Sequence, residues 1–260
     1  MWYQMPLETN KKSISSTVIQ GFALLKCFTQ MRPLLGNKEL SELCNLPPST
    51  VARLTHTLCE IGLLQRVNQF RKYQLGYEAL TLAYPVIANM RERHVARRHM
   101  KELTDQTKAQ TSMAVINNLD AIYVESFRPD EDWLFKPEIG TTRPILLTAI
   151  GHSLLYSLTT DRFNYLMAQA KNIYKGKFST IKRQIEESFS QLRARGYCSV
   201  LGTYRPELHA VAIPLYKDQT EHPIAFNLSI KIGSSISNIH KFGPKIIELR
   251  DKTAAEMGIP

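Results

Sequence analysis

The features that mark zinc proteins, redox enzymes, secreted domains and membrane spans are scarce in this 260-residue chain. Its four cysteines, at 27, 44, 59 and 198, form no CxxC pair, the spacing that structural zinc sites and thioredoxin-like motifs need. Three of them fall on apolar faces of helical segments, so the set reads as small buried hydrophobes of a reducing cytoplasm rather than as disulfides or ligands. No apolar run approaches the roughly 18 residues of a membrane span. The opening MWYQMPLETNKK lacks the apolar core of a signal peptide, and residues 1–12 read as a flexible tail. The histidines include no HExxH, and His94 with His99 misses the i, i+4 spacing of a helical metal pair. Neither a phosphate loop nor a dinucleotide fingerprint is present. The run Gly151-His152-Ser153-Leu154-Leu155 starts like a nucleophile elbow but has Leu155 where G-x-S-x-G needs its second glycine. The expectation is a protein that is not an enzyme, with no cofactor, no metal and no membrane partner.

What the chain does have is positive charge, unevenly placed. Lys+Arg number 33 against 23 Asp+Glu, a net charge of +10. Between Lys11 and Tyr77 stand nine basic and three acidic residues, so that stretch, about a quarter of the chain, carries six of the ten excess charges. A concentrated positive field attracts a phosphate backbone and speeds association. RNA or an anionic membrane would be attracted equally, so charge ranks below motif.

The motif lies in NKELSELCNLPPSTVARLTHTLCEIGLLQRVNQFRKYQLGY, residues 37–77. Leu40, Leu43 and Cys44 have the i, i+3, i+4 spacing of a buried helical stripe. Asn45-Leu46-Pro47-Pro48 breaks that helix and restarts another, since proline suits a first helical turn. The second helix places Val51, Leu54, Leu58 and Ile61 on a core face and Ser49, Thr50, Arg53, His56 and Thr57 on the opposite one. Gly62 ends it. Leu64–Val67 and Lys72–Leu75 alternate like two short strands around an Asn68-Gln69-Phe70-Arg71 turn. This is the pattern of a winged helix-turn-helix, residues 13–77. Such a fold sets the second helix in the major groove of double-stranded DNA, with Arg53 among the base-reading side chains. Arg71 and Lys72, at the hairpin tip, are candidates for phosphate or minor-groove contact. Singly, each polar side chain could be a solvated surface residue; the helix pair and hairpin together favour DNA.

A chain of this length is comfortable as two domains. Thr17–Phe28 carries a Val18, Phe22, Leu25 stripe expected to be a first core helix. Glu78–Thr107 is expected as one nearly continuous helix, relaxed at Pro85, with residues 78–94 a linker and its basic middle, MRERHVARRHMKEL, solvated. From Ser112 the period changes to two. SMAVIN, AIYVESF and WLFK predict strands, and Thr148–Leu158, Asp161–Ala170 and Thr180–Arg195 predict helices. Strands over Tyr197–Tyr204, His209–Tyr216 and Ile224–Ile230 and a helix over Ser237–Met257 complete an α+β domain, residues 95–260: a sheet covered by helices, with room for a pocket.

In TAIGHSLLYSL a glycine-containing turn opens a helix. Free N–H groups and the helix dipole favour an anion there, and a small carboxylate is the natural guest. Ala149, Ile150, Gly151 and His152 would offer those N–H groups. Asn227 and Ser229 could bond a carboxylate or hydroxyl, and Thr148 and Tyr204 are further candidates. Tyr204, Phe226, Leu147 and Trp133 leave an aromatic acid open, while each of these residues could equally be plain sheet core.

In the order and spacing of ELSELCNLPPSTVARLTHTLCEIGLL, YQLG, RPILLTAIGHSLL, LRARGYCSV and AVAIPLY…PIAFNLSIKIG, the chain resembles the IclR-type transcriptional regulators over residues 13–258. The resemblance implies a GAF-like effector domain, a dimer or dimer of dimers, and control of catabolic genes by a small carboxylic or aromatic acid. It also implies that the segment from Thr148 and the strand positions Ala210 to Pro214, Ala212 among them, and Asn227 to Ser229 line the effector pocket. The chain departs from the family at Gly202-Thr203-Tyr204-Arg205, where many relatives carry an acidic pair. It departs too at His152, where a small basic residue usually follows the glycine, and at Asn227, where small residues are common. A ligand-responsive regulator is the leading expectation. The alternative is a small-molecule-binding or catalytic domain whose helix-turn-helix mediates protein contacts.

Overall fold

The computed structural model describes residues 14–129, 138–216, 218–231 and 236–259. The expected WLFK strand, Trp133 included, lies outside them. The chain divides at Asn89 and Met90 into two compact units.

In the first unit, helix α1 (Ser16–Leu25) begins where the Ser15 side chain accepts from the Val18 N–H, and α2 (Asn37–Cys44) and α3 (Pro48–Glu60) follow. The expected α1 stripe holds only at Leu25, which packs against the core. Val18 and Phe22 are 56% and 53% exposed, while Gly21 and Leu24 face inward. The inward side continues past the helix end through Cys27 and Phe28, which pack with Leu40, Leu54 and Leu58. A helix this short buries the stripe that its following turn extends. Ile61, also expected in the core, is 54% exposed. The helix ends one residue earlier, and Gly62 follows in the left-handed region at φ +76°.

Strands β1 (Leu64–Val67) and β2 (Lys72–Leu75) pair antiparallel around a single 3-10 turn, with Arg71 left-handed at its end. Leu35 exchanges two backbone hydrogen bonds with Tyr73, at 3.0 and 2.8 Å, adding a third rung that no sequence pattern announced. Glu39 secures the join. One carboxylate oxygen accepts the Gly36 N–H at the start of α2 (2.7 Å), and the other pairs with Lys72 Nζ (2.9 Å).

The single helix expected over Glu78–Thr107 is two. Pro85 sits inside α4 (Glu78–Ala88) without ending it. The break comes at Asn89, whose side-chain amide and backbone N–H both bond the Pro85 carbonyl. Asparagine here competes with the helix ladder for its acceptor. Met90 is extended, and α5 (Arg91–Thr107) begins afresh.

The second unit holds a six-stranded antiparallel sheet. Its strands are β3 (Gln110–Asn117), β4 (Asp120–Phe127), β5 (Thr142–Pro144), β6 (Cys198–Leu201), β7 (Leu208–Pro214) and β8 (Ile224–Lys231), in the order β5-β4-β3-β8-β7-β6. Helices α6 (Ala149–Tyr156), α7 (Thr160–Tyr174) and α8 (Phe178–Arg195) contribute to one core, with Ala114, Ala121 and Ala225 from the sheet. On the other face α5 and α9 (Phe242–Met257) pack on Met113, Val124, Val211, Phe226 and Leu228. The sheet is therefore sandwiched, and period-two alternation sends neighbouring residues to different cores. Two expectations shorten. The strand over Tyr197–Tyr204 covers only Cys198–Leu201, because Gly202 turns the chain at φ +67°, and the last helix is preceded by a 3-10 turn over residues 236–241.

The basic middle of the expected linker is not solvated all round. Arg93, Ala96, His99, Met100, Leu103 and Thr104 form a buried face of α5. A bulge between Met113 and Ala114 disturbs the β3–β4 register near Val124, and the Val124 carbonyl accepts from Arg93 Nε (3.0 Å). Arg93 also pairs with Glu125 at 2.9 Å, and Arg97 reaches the same carboxylate at 3.4 Å. Breaking a buried pair from one side leaves an uncompensated charge, at a cost of about 3–5 kcal/mol. Arg93→Ala should therefore lower unfolding stability by about that much in urea titration, whereas Arg97→Ala, whose partner keeps Arg93, should have a much smaller effect.

Candidate functional site

In the first unit, α3 presents Ser49, Arg53, His56 and Thr57 to solvent, with Thr50 half-buried. They lie opposite Val51, Leu54 and Leu58, which hold the helix down. Thr57 donates its hydroxyl to the Arg53 carbonyl at 3.0 Å. Buried Thr55 was not singled out in the sequence. It bonds the Val51 carbonyl and Asn37 of α2, fixing the angle between the two helices. Arg71 projects at the hairpin tip, exposed. Lys72 is engaged by Glu39 and so is less available than its position in the sequence implied. Among the described residues neither Arg53 nor Arg71 joins an ion pair.

The second unit contains a small, partly open cavity between the start of α6 and the sheet. Of the candidates named from sequence, Thr148, Ala149, Ile150, Tyr204, Ala210, Asn227 and Ser229 line it. Gly151, His152 and Ala212 do not. Ala212 is fully buried in the core around α6. Gly151 matters in another way: a Cβ on it would lie 2.1 Å from the Ile145 carbonyl oxygen, so only glycine lets α6 start against the preceding turn. Its N–H is capped by Thr148 Oγ1 (3.2 Å), and the His152 N–H bonds the Thr148 carbonyl (2.9 Å). Of the four N–H groups expected to meet an anion, Ala149 and Ile150 remain.

His152 is a correction. It is fully buried, with Nδ1 2.7 Å from Ser188 Oγ and Nε2 3.0 Å from the Leu146 carbonyl oxygen. Burial pushes its pKa down to about 4, against the opposing pull of the Leu146 carbonyl. It is a neutral packing residue and adds no charge to the cavity. Ser153, the nucleophile position of the incomplete elbow, is also fully buried, with its hydroxyl against Cys198.

The sequence reading missed Gln110, Tyr123, Arg143, Val200, Thr203 and Leu208, which also line the cavity, and did not assign Arg205 or Leu147 to it as site residues. For Gln110 a signal existed: a polar side chain opening a strand that is buried on both faces. The same signal marks Asn227 and Ser229, paired with Ser112 and Gln110 across β3–β8. Asn227 Oδ1 is buried without a hydrogen-bond partner.

Two family profiles match this chain: the IclR helix-turn-helix domain over residues 17–68, and the C-terminal domain of bacterial IclR transcriptional regulators over residues 85–251. The chain belongs to the IclR family of transcriptional regulators. It is 26% identical to the HTH-type transcriptional regulator TsaQ1/TsaQ2 of Comamonas testosteroni over 226 residues, 86% of this chain and 81% of that one. The crystal structure of an IclR family regulator from Brucella abortus superposes with a TM-score of 0.85 at 25% identity, covering 99% of this chain and 97% of the other. An IclR homologue from Microbacterium hydrocarbonoxydans complexed with 4-hydroxybenzoate shares the fold, with a TM-score of 0.74 at 17% identity over 92% and 98% of the two chains. The family places a helix-turn-helix and an effector domain in one chain, matching the two units described here. Among the described residues no helix is long and apolar enough to cross a membrane.

In this IclR-family effector domain, His152 sets a pH dependence. Its proton affinity is ordinary, near 6.5, in the unfolded chain and depressed in the folded one. Between these values the unfolded chain binds the extra proton. The stability is complete above about pH 6.5 and is lost as pH falls toward 4. Going from pH 7 to pH 5 should cost about 2 kcal/mol through this group. Urea midpoints should fall accordingly in the wild type and fall less steeply in a His152→Asn variant.

Proposed function

We propose that this regulator controls catabolic genes by binding operator DNA as a dimer or dimer of dimers, with affinity set by a small organic acid, aromatic or otherwise, in the effector cavity. The carrying observation is the unpartnered Asn227 Oδ1, buried on the wall of a cavity that also receives the start of α6. A buried polar atom without a partner is costly, and a ligand hydroxyl would remove that cost. The 4-hydroxybenzoate complex of the Microbacterium homologue supports an aromatic hydroxy acid.

For the DNA side, the support is the exposed face of α3. Ser49, Thr50, Arg53, His56 and Thr57 are the proposed groove-facing residues, and Arg71 and Lys72 the backbone-facing ones. Self-association is supported by unsatisfied apolar surface: Val18 and Phe22 on α1, and Leu80, Leu82, Tyr84 and Val86 on α4, are each more than half exposed. A dimer places two recognition helices about one helical turn, or a multiple, apart.

Gel shifts and footprinting on DNA upstream of the gene test this. The wild type should protect two half-sites and sediment as a dimer or larger at micromolar concentration. Arg53→Ala should lose about 1–3 kcal/mol of operator affinity and relax sequence preference. Arg71→Ala should weaken all sequences alike and flatten the salt dependence. Wild-type affinity of Arg53→Ala for both operator and random DNA would overturn the docking. A wild type that binds no DNA would favour the alternative, a ligand domain whose helix-turn-helix mediates protein contacts.

For the ligand, thermal-shift screening of carboxylates, hydroxybenzoates and sugar acids should yield binders that change DNA affinity by about 1–3 kcal/mol of coupling. Asn227→Leu and Ser229→Ala should each weaken them and leave ligand-free DNA binding intact. Hits that are only neutral or cationic, unaffected by both substitutions, would refute the acid reading.

A further inference from the structure

We propose that Cys27 and Cys44 form an oxidation site: a hydroperoxide converts the two thiols into a disulfide that ties the end of α1 to the end of α2, beside the turn that leads into α3. The disulfide stands on its own; its effect on operator affinity rests on the proposed DNA-binding role of α3.

The two cysteines stand 17 positions apart, yet the fold sets their Sγ atoms 3.2 Å from each other. That is closer than two sulfurs rest in ordinary van der Waals contact, and the covalent bond needs about 2.05 Å. Cys27 lies two residues beyond α1, and Cys44 is the last residue of α2, followed by Asn45 in the left-handed region. Neither is held within a helix on both sides, so a closure of about 1 Å falls on chain ends and side-chain rotation. Both thiols sit at the rim of the core, Cys27 9% exposed and Cys44 half-buried. Among the described residues no three histidines, cysteines or acids gather for a metal, whereas a structural zinc site takes four such ligands. Two thiols alone at this distance suit a disulfide.

The pair is asymmetric. A hydrogen bond from the Cys44 thiol and the positive charge of Arg32 hold the Cys27 thiol below the usual cysteine range, against the effect of burial. The same contact, together with burial, raises Cys44. Cys27 is therefore the nucleophile, since the thiolate is the reactive form. Its sulfur attacks one oxygen of hydrogen peroxide. The O–O bond breaks, hydroxide leaves and takes up the proton that Cys27 had released, and Cys27 becomes a sulfenic acid. The Cys44 sulfur then attacks the Cys27 sulfur, forming S–S and breaking S–O, and the departing hydroxide leaves as water with the Cys44 proton. Two thiols lose two electrons and two protons, and the peroxide is reduced to two waters. A thiol reductant reverses the oxidation by exchange.

Cys27 packs with Leu54 and Leu58 of α3, and Cys44 immediately precedes the turn into that helix. Drawing the two sulfurs together shifts the floor on which α3 sits, so the reduced form is the one that seats its exposed face for DNA.

The test treats the full chain with hydrogen peroxide, blocks it with iodoacetamide and digests it without reductant. Mass spectrometry should find the peptides that hold residues 27 and 44 joined, two hydrogens lighter than their sum, and dithiothreitol should separate them. Cys59→Ala should keep the link. Cys27→Ala and Cys44→Ala should each lose it, with cooperative melting confirming that they fold. In gel shifts, oxidation should lower the operator affinity of the wild type by about fivefold or more and leave that of Cys44→Ala unchanged. Cysteines that gain only oxygen, or that link separate copies of the chain, would overturn the disulfide. A disulfide without change in operator affinity would overturn the switch. A disulfide in protein that binds no DNA in either state would overturn the DNA-binding role and leave the oxidation site standing.

Discussion

The approach of α6 to the turn before it governs the effector domain. Gly151 lies so close to the Ile145 backbone that no side chain fits. That contact, with Thr148 capping the Gly151 N–H, settles where the helix begins and which of its N–H groups stay open. It brings Ala149 and Ile150 to the cavity and sends His152 into the core toward Ser188. A residue with a Cβ at position 151 would have to push the helix away, and cavity and core would shift together. The shape of the cavity and the packing of the core share one contact.

The sheet supplies the other wall. Because it is covered on both faces, every polar side chain on it needs a partner or a use. Ser112 and Gln110 meet Ser126, and Glu125 meets Arg93. Asn227 keeps an atom unmatched. The polar residues on the α6 side thus divide between internal pairing and the cavity, while the opposite face carries α5 and α9 on an apolar core that also holds the Arg93–Glu125 pair and the Thr104–Thr111 hydrogen bond. Arg93 does double duty there: it takes up the Val124 carbonyl beside a bulge and neutralises Glu125, which anchors α5 to the sheet.

In the DNA-binding unit, small polar contacts perform the alignment. Thr55 links α3 to α2, and Glu39 links α2 to the hairpin. The apolar core beneath them is small, so these contacts decide the angle at which the α3 face is presented. The exposed apolar residues of α1 and α4 have no counterpart in that core, and burial against a second copy would remove them from water.

Much of this was legible in the sequence because it depends on local periodicity and punctuation. The paired helices around Asn45-Leu46-Pro47-Pro48, the hairpin strands, the glycine stop at Gly62, and the alternation in IAFNLSIK each follow from neighbours a few residues apart. So did the polar Asn227 and Ser229 on a strand otherwise apolar. Periodicity cannot say which of two apolar stripes faces inward, and so Val18 and Phe22 were assigned to a core they do not enter; Leu24, extended by Cys27 and Phe28, won. Nor could it show that Asn89, rather than Pro85, breaks the helix, since the break depends on a side-chain amide taking a backbone acceptor. The charge of the cavity was decided by tertiary structure alone. His152, polar and next to the key glycine, is buried and neutral, whereas Arg143 and Arg205, far apart in sequence, converge on Tyr204. Local sequence determined the elements; only the folded sheet, by bringing distant strands and one capped helix together, determined which polar groups meet and which are left unpaired.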